Sequence, residues 1–325
     1  MENQSKLRII CLYRILSQYT NEAHPLSTNQ LIRRLAEEYR LDVNRNTLGK
    51  DLELMMDAGL GIRVIHSTQN KYYFDGQTFT NGELKLLMDA VASSRFIPEK
   101  RSKELIKKLG TLTNVYEQET LHRNVSVAGR VKTESETGYE NVDRINSAID
   151  RKERIAFTYV DYTSSGKKIL RHDGEKYLVS PYALVWDGDY YYLIGYAENR
   201  GKIENFRLDR IHEAPENMGT AGYVKKPRSF SLEEYRRTVF RMFGTDESAE
   251  VTLVGETFTL KGFYDQFGEK TRVRALDEDH YTATVRVCPS PTFYRWVFVW
   301  GGAMKITAPE NVREEYREMC RKGLE

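Results

Sequence analysis

The residues of this 325-residue chain with the clearest chemistry are Arg45, Asn46, Thr47 and Lys50, four polar side chains within six positions. Amides, hydroxyls and ammonium groups hydrogen-bond the edges of bases, and cationic side chains neutralise phosphates, so the set suits contact with double-stranded DNA. Arg33, Arg63 and Lys71 lie on neighbouring segments and suit phosphate contacts.

Such groups work only if rigid elements aim them. Ser27 with Gln30 makes a capping box, and Leu26 with Leu31 a hydrophobic staple, so a helix is expected to open there and to bury Leu31, Leu35 and Tyr39. After the polar connection 40–42, a second helix is expected from near Asn44 to Gly59, with Leu48, Leu52, Met55 and Met56 as its buried stripe. At about 100° per residue, Asn46, Thr47 and Lys50 fall away from that stripe, near the helix start, where a groove-inserted helix makes base contacts. Gly49 lets a backbone come close. Residues 62–66 and 71–74 read as two strands joined by the polar turn 67–70, a wing on which Arg63, His66 and Lys71 reach phosphates. The plainer reading is a small helical subdomain whose outer face is merely solvated.

Length suggests two to four domains. Charged residues are 30% and hydrophobic ones 40%, with neither a membrane-length apolar run nor a signal-peptide pattern, so a soluble cytoplasmic protein without membrane association is expected. Cys11, Cys288 and Cys320 are far apart and lack metal-ligand spacing, so neither a disulfide nor a zinc site is expected. The net charge of +2 means that any phosphate-binding surface depends on local segregation of charge, with moderate, salt-dependent affinity. Glu53 and Asp57 sit toward the far end of the second helix, away from the basic residues.

Beyond the wing, Thr80 with Glu83 makes another capping box, followed by Leu84, Leu87, Met88 and Val91. After Pro98 a further helical stretch uses Leu105, Ile106 and Leu109. Their apolar faces pack on their own chain or form dimer contacts. Residues 116–138 read as an extended linker before a helix at 141–151. From Ile155 the period becomes that of strands: 155–160, 168–171, 177–180, 183–186, 190–196 and 205–211, with turns at 164–166, 187–189 and 199–202. So many short strands argue a small curled sheet or barrel.

Three separated runs in this region, 180–184 (Ser-Pro-Tyr-Ala-Leu), 191–193 (Tyr-Tyr-Leu) and 206–211 (Phe-Arg-Leu-Asp-Arg-Ile), resemble the WYL domain, with Tyr191 standing where the family's triplet has tryptophan. The run 47–52 (Thr-Leu-Gly-Lys-Asp-Leu) is similar to a segment of the winged helices usually found ahead of WYL domains, with lysine in place of arginine. The resemblance implies a bacterial transcriptional regulator whose Sm-like β-barrel acts as a ligand sensor. The ligand it implies is nucleic acid, single-stranded DNA or an oligonucleotide. It points to Arg207 and Arg210, and less strongly to Tyr182 and Tyr191, as ligand residues; the residues themselves add Tyr159 and Arg171. Guanidinium groups hold phosphates by paired hydrogen bonds and aromatic faces stack on bases, so arginine interleaved with tyrosine suits an oligonucleotide groove. Arg207 and Arg210 have opposite strand parity, so both reach one pocket only through a bulge or a strand end before Arg210. Asp209 offers either an ion pair, and Tyr190, Tyr192 and Tyr196 share one face and read as structural.

The last region reads strand (249–254), helix (260–267), strand pair (271–276 and 281–288), helix (292–300), strand (304–307) and helix (311–322), a ferredoxin-like order. It is similar to the WCX-type extension commonly attached to WYL domains, with Trp296, Gly301-Gly302 and Pro309-Glu310 at its usual landmarks. Dimerisation or closure over the ligand is its expected role, and Arg295 is a further candidate to assist.

The chain has no glycine-rich phosphate loop, no nucleophile elbow and no histidine pair at metal spacing, so no enzyme and no cofactor is expected. The expected fold class is a multidomain α+β chain. It comprises a winged helix-turn-helix (1–78), a helical connector and linker (79–140), an Sm-like or SH3-like β-barrel (141–225), a linker (226–246) and a ferredoxin-like domain (247–325). The expected protein is a homodimer on a partly palindromic operator. The alternative is a nucleic-acid-binding component outside transcription, such as one of a phage-defence system, that uses the winged helix for protein interaction.

Overall fold

The structure is a computed structural model that describes residues 2–123, 131–240, 242 and 248–324. The chain divides into two compact units, 1–134 and 135–325.

The first unit opens with α1 (Glu2–Tyr19), β1 (Leu26–Ser27), α2 (Thr28–Tyr39), α3 (Arg45–Asp57), β2 (Ile62–Ile65) and β3 (Lys71–Phe74). The three strands form a sheet in the order β1-β3-β2, the arrangement of a winged helix. Both halves of the capping box at Ser27 and Gln30 are present, and Arg40 closes α2 in the left-handed conformation. Leu31 and Leu35 from α2 pack with Leu48, Leu52 and Met55 from α3 and with Tyr72 and Phe74 from the wing. No helix is expected before Ser27, yet α1 supplies Cys11, Leu12, Ile15 and Leu16 to this core. Their one-and-four spacing is the signal it carried.

Three helices follow: α4 (Asn81–Ser93), α5 (Glu99–Gly110) and α6 (Val115–Arg123). Leu84 and Met88 of α4, Ile106 of α5 and Leu121 of α6 form a second small core. The expected linker at 116–138 is thus corrected. Residues 116–123 are helical, with the Asn114 carboxamide accepting from the Tyr116 and Glu117 N–H groups at 3.1 Å. Residues 131–133 are fastened: the Lys132 ammonium donates to the Ser94 carbonyl (2.6 Å) and the Ser102 hydroxyl (2.9 Å), and Thr133 N–H to the Arg95 carbonyl (2.8 Å). The part of the expected linker at 124–130 lies outside the described residues.

The second unit begins with α7 (Glu136–Arg151), capped by Ser135. Then come β4 (Ile155–Phe157), β5 (Val160–Tyr162), β6 (Lys168–Leu170), β7 (Tyr177–Asp187), β8 (Tyr190–Ala197), β9 (Lys202–Arg207) and β10 (Glu216–Asn217). Five of these make an antiparallel sheet, β10-β4-β7-β8-β9, while β5 and β6 form a separate ribbon. The two strands expected at 177–180 and 183–186 are one. Pro181 and Tyr182 sit at its register shift, where a bulge tolerates proline. The strand expected at 205–211 ends at Arg207, and Leu208–Arg210 is a 3₁₀ turn. The run 155–160 breaks at Thr158-Tyr159 into β4 and β5.

The stretch expected as a linker at 226–246 contains α8 (Leu232–Thr238), with the Ser231 hydroxyl accepting from the Glu234 N–H. Around it Phe230, Leu232, Tyr235 and Met242 pack on Val185, Tyr192 and Ile194, covering one face of the sheet. The last elements are β11 (Ala249–Glu256), α9 (Leu260–Phe267), β12 (Arg274–Ala275), β13 (His280–Val287), α10 (Pro291–Phe298), β14 (Met304–Ala308) and α11 (Glu310–Lys322). Their sheet runs β12-β13-β11-β14, all antiparallel, around a core that includes Val251, Leu253, Phe263, Phe293 and Val297.

Candidate nucleic-acid interface

The first site is the start of α3. Asn44 caps the helix, its side-chain oxygen accepting from the Thr47 N–H at 2.8 Å, so the helix starts at Arg45. Arg45, Asn46 and Lys50 are exposed and Thr47 is half-buried, while Leu48 and Leu52 on the other side are fully buried. A residue that sequence reasoning passed over fixes this orientation: Asp51, buried beside Lys50, pairs with Arg8 of α1.

The wing's Arg63 faces Asp75 at 3.5 Å and Arg33 of α2 faces Glu37 at 3.9 Å. Both pairs are open to solvent, so exchanging these carboxylates for phosphates costs little. Lys71 and His66 are exposed at the wing. Arg34 is committed elsewhere, pairing with Glu38 and lying 4.1 Å from the Tyr19 ring centroid.

The second site is a cleft of about 710 Å³ in the second unit. One wall is Tyr159, Val160, Asp161 and Arg171; the other is 202–206 along β9; Arg210 belongs to the 3₁₀ turn, and Phe230, Tyr235 and Met242 complete the lining. The walls meet where the Arg207 N–H donates to the Tyr159 hydroxyl at 3.0 Å and Tyr159 bridges to Ile211. Arg171 lies 4.0 Å from Asp161 and Lys202 3.9 Å from Glu204, both with solvent access. Arg210 is exposed and has no ion-pair partner among the described residues. The cleft therefore offers an anion one uncommitted guanidinium and one loosely held one.

The six ligand candidates divide. Tyr159, Arg171 and Arg210 meet in the cleft, but Tyr159 serves as wall rather than as a stacking platform. Its ring is buried against Tyr177 and Phe206, and burial pushes its phenol up to about 12. Arg207 is absent from the cleft lining and is engaged within the fold. Its Nε and Nη2 donate to the Asp209 carboxylate at 3.1 and 2.7 Å, and its guanidinium lies 3.4 Å from the Tyr190 ring centroid. Burial opposes its charge, and Asp209 more than offsets that, so the proton is held more firmly than usual. The parity problem is settled by a strand end before Arg210, which sends the two arginines to different places. Tyr182 lies outside the cleft lining, donating to the Val224 carbonyl at 3.1 Å, and Tyr191 packs edge-on against Trp186 with centroids 4.9 Å apart.

Asn205, Phe230 and Tyr235 were missed as lining residues. Ser231 with Glu234 carries a helix-start pattern that could have drawn attention to the segment. Arg295 is exposed on α10 and does not line the cleft. Among the described residues no group of histidine, cysteine, aspartate or glutamate could hold a metal, and no helix is long and apolar enough to cross a membrane.

The chain thus combines a winged helix, a β-domain with a cleft lined by both charge signs and a further α/β domain. Residues 140–215 match the family model of the WYL domain and residues 246–324 that of the WCX domain. A WYL domain and, after it, a WCX domain are therefore present in this chain. Among solved structures it is similar to proteasome accessory factor B/C (PafBC) of Arthrobacter aurescens, at 17% identity and a TM-score of 0.30, covering 96% of this chain and 47% of that one. The chain thus spans about half the length of that structure. No curated protein matches it.

Proposed function

We propose that this chain is a DNA-binding transcriptional regulator whose WYL domain senses an anionic effector, a nucleotide or an oligonucleotide. Asn46, Thr47 and Lys50 read base edges of a duplex operator, and Arg45, Arg33, Arg63 and Lys71 hold its backbone. One observation carries this reading: the polar start of α3 stands exposed while its opposite side is locked by Leu48, Leu52 and the Arg8–Asp51 pair. The protein acts as a cytoplasmic homodimer and not as a catalyst, on half-sites about one or two helical turns apart. Arg171 and Arg210 hold the effector's phosphates. The effector shifts operator affinity only as far as it prefers one arrangement of the two reading helices, so operator and effector affect each other reciprocally.

The test is a gel shift on the chain's own upstream region. Lys50→Ala and Asn46→Ala are each expected to weaken binding about tenfold, at the low end of what a base contact contributes. Wild-type affinity in both removes the reading-helix assignment. A genome-wide footprint without discrete promoter peaks would favour a nucleic-acid-binding role outside transcription.

A further inference from the structure

A hollow of about 510 Å³ opens at the sheet edge opposite the cleft, between α7 and the segment that carries β10. Arg144, Ala148 and Arg151 share the face of α7 that lines it, at positions four and seven apart. At a rise of about 1.5 Å per residue the two arginines start about 10 Å from each other, with Ala148 between them. Both are exposed, and neither has an ion-pair or hydrogen-bond partner among the described residues. Exposed arginines on other helices are matched within one turn: Arg33 by Glu37, Arg317 by Glu314 and Arg321 by Glu318. The hollow's own carboxylates are engaged, Glu153 accepting from the Asn217 side chain and Glu216 pairing with Lys176. Two guanidinium groups are therefore left open to a ligand.

The rest of the lining is mostly apolar. Ala148 and Ile155 form a floor, 3% and 2% exposed, and Ala214 and Pro215 belong to the far wall. That wall is fixed in place: β10 pairs with β4 at Asn217 and Ile155, and the Asn141 amide of α7 donates to the Glu213 carbonyl at 3.4 Å. A pocket of this size suits a small molecule, and guanidinium groups at two ends of an apolar floor suit one that is acidic at both ends. We infer that this hollow binds an organic dianion, whose terminal carboxylates or phosphates are held by Arg144 and Arg151 while its apolar body crosses Ala148 and Ile155. A compact inorganic ion would leave that floor bare. The hollow shares no lining residue with the cleft along β9, so the two sites fill separately.

The test is isothermal titration calorimetry on the full chain with suberate, octanoate and succinate. Octanoate lacks one acid group of suberate, and succinate lacks most of its apolar body. Suberate is expected to bind at least about tenfold more tightly than either, and the diamine of the same length should not bind. Arg144→Gln and Arg151→Gln, both at exposed helical positions, should each bring suberate down to the octanoate level. Suberate binding that survives both substitutions, or that is lost instead in Arg210→Ala, places the acid elsewhere and overturns the site. Equal affinity for suberate and octanoate, or no saturable binding of suberate in the millimolar range, overturns it as well. The comparison of acids on the unmodified chain decides the matter even if a variant fails to fold.

Discussion

The Arg8 guanidinium on α1 forks onto the Asp51 carboxylate on α3, with Nε 2.5 Å from Oδ2 and Nη2 3.2 Å from Oδ1. Their side chains are only 14% and 11% exposed, so the pair operates away from bulk water. It ties the first helix of the chain to the residue next to Lys50, and so fixes how the exposed start of α3 is turned.

Asp51→Asn removes one charge and leaves the largely buried Arg8 guanidinium without its carboxylate partner. Unfolding in urea is expected to show a loss of about 2–3 kcal/mol. Arg8→Lys keeps the charge but not the planar fork, and should recover only part of it. Stability within about 0.5 kcal/mol of wild type in Asp51→Asn would mean that α3 is held by its apolar stripe alone.

Arg207→Lys tests the structural assignment of the arginine that the family resemblance had marked for ligand. Lysine cannot make both bonds to Asp209 and stacks less well on Tyr190. Thermal unfolding should register a loss of about 1–3 kcal/mol, and oligonucleotide binding by the folded fraction should stay closer to wild type than in Arg210→Ala. Equal stability with a selective loss of binding would return Arg207 to the ligand site.

Alkaline pH provides a third check. Burial raises the Tyr159 phenol to about 12, and Tyr182 likewise to about 12, against about 10 in an unfolded chain. The unfolded state therefore releases these protons first. Stability is intact below pH about 10 and falls as pH climbs through about 12. Tyr159→Phe should be less stable at neutral pH, because the Arg207 N–H loses its acceptor, yet decline less steeply over that alkaline range. Phenolate absorbance against pH, followed with circular dichroism, reads both; an early phenolate signal in an intact fold would contradict the burial of these rings.

Much of the fold was legible because its signals are local. The capping boxes at Ser27 and Thr80 and the apolar stripe of α3 each need only a few consecutive residues. The element order from β11 to α11 was likewise legible from period alone. What stayed hidden depends on partners far along the chain. Asp51 reads as one more charge on a solvated helix until Arg8 is placed against it. The opposite parity of Arg207 and Arg210 was legible, but not the three-residue turn that separates their surroundings. The segment at 226–246 looked like a spacer because Phe230, Tyr235 and Met242 are spaced for packing against Val185, Tyr192 and Ile194, a surface that exists only once the sheet has formed.

That packing bears on how the molecule may be dissected. The WYL match stops at residue 215, short of the aromatic cover. A polypeptide trimmed at that point would bare Val185, Tyr192 and Ile194 to water, and its sheet would be expected to clump or bind hydrophobic dye where a polypeptide extended through Met242 stays dispersed. In physical terms, the domain ends well beyond its signature.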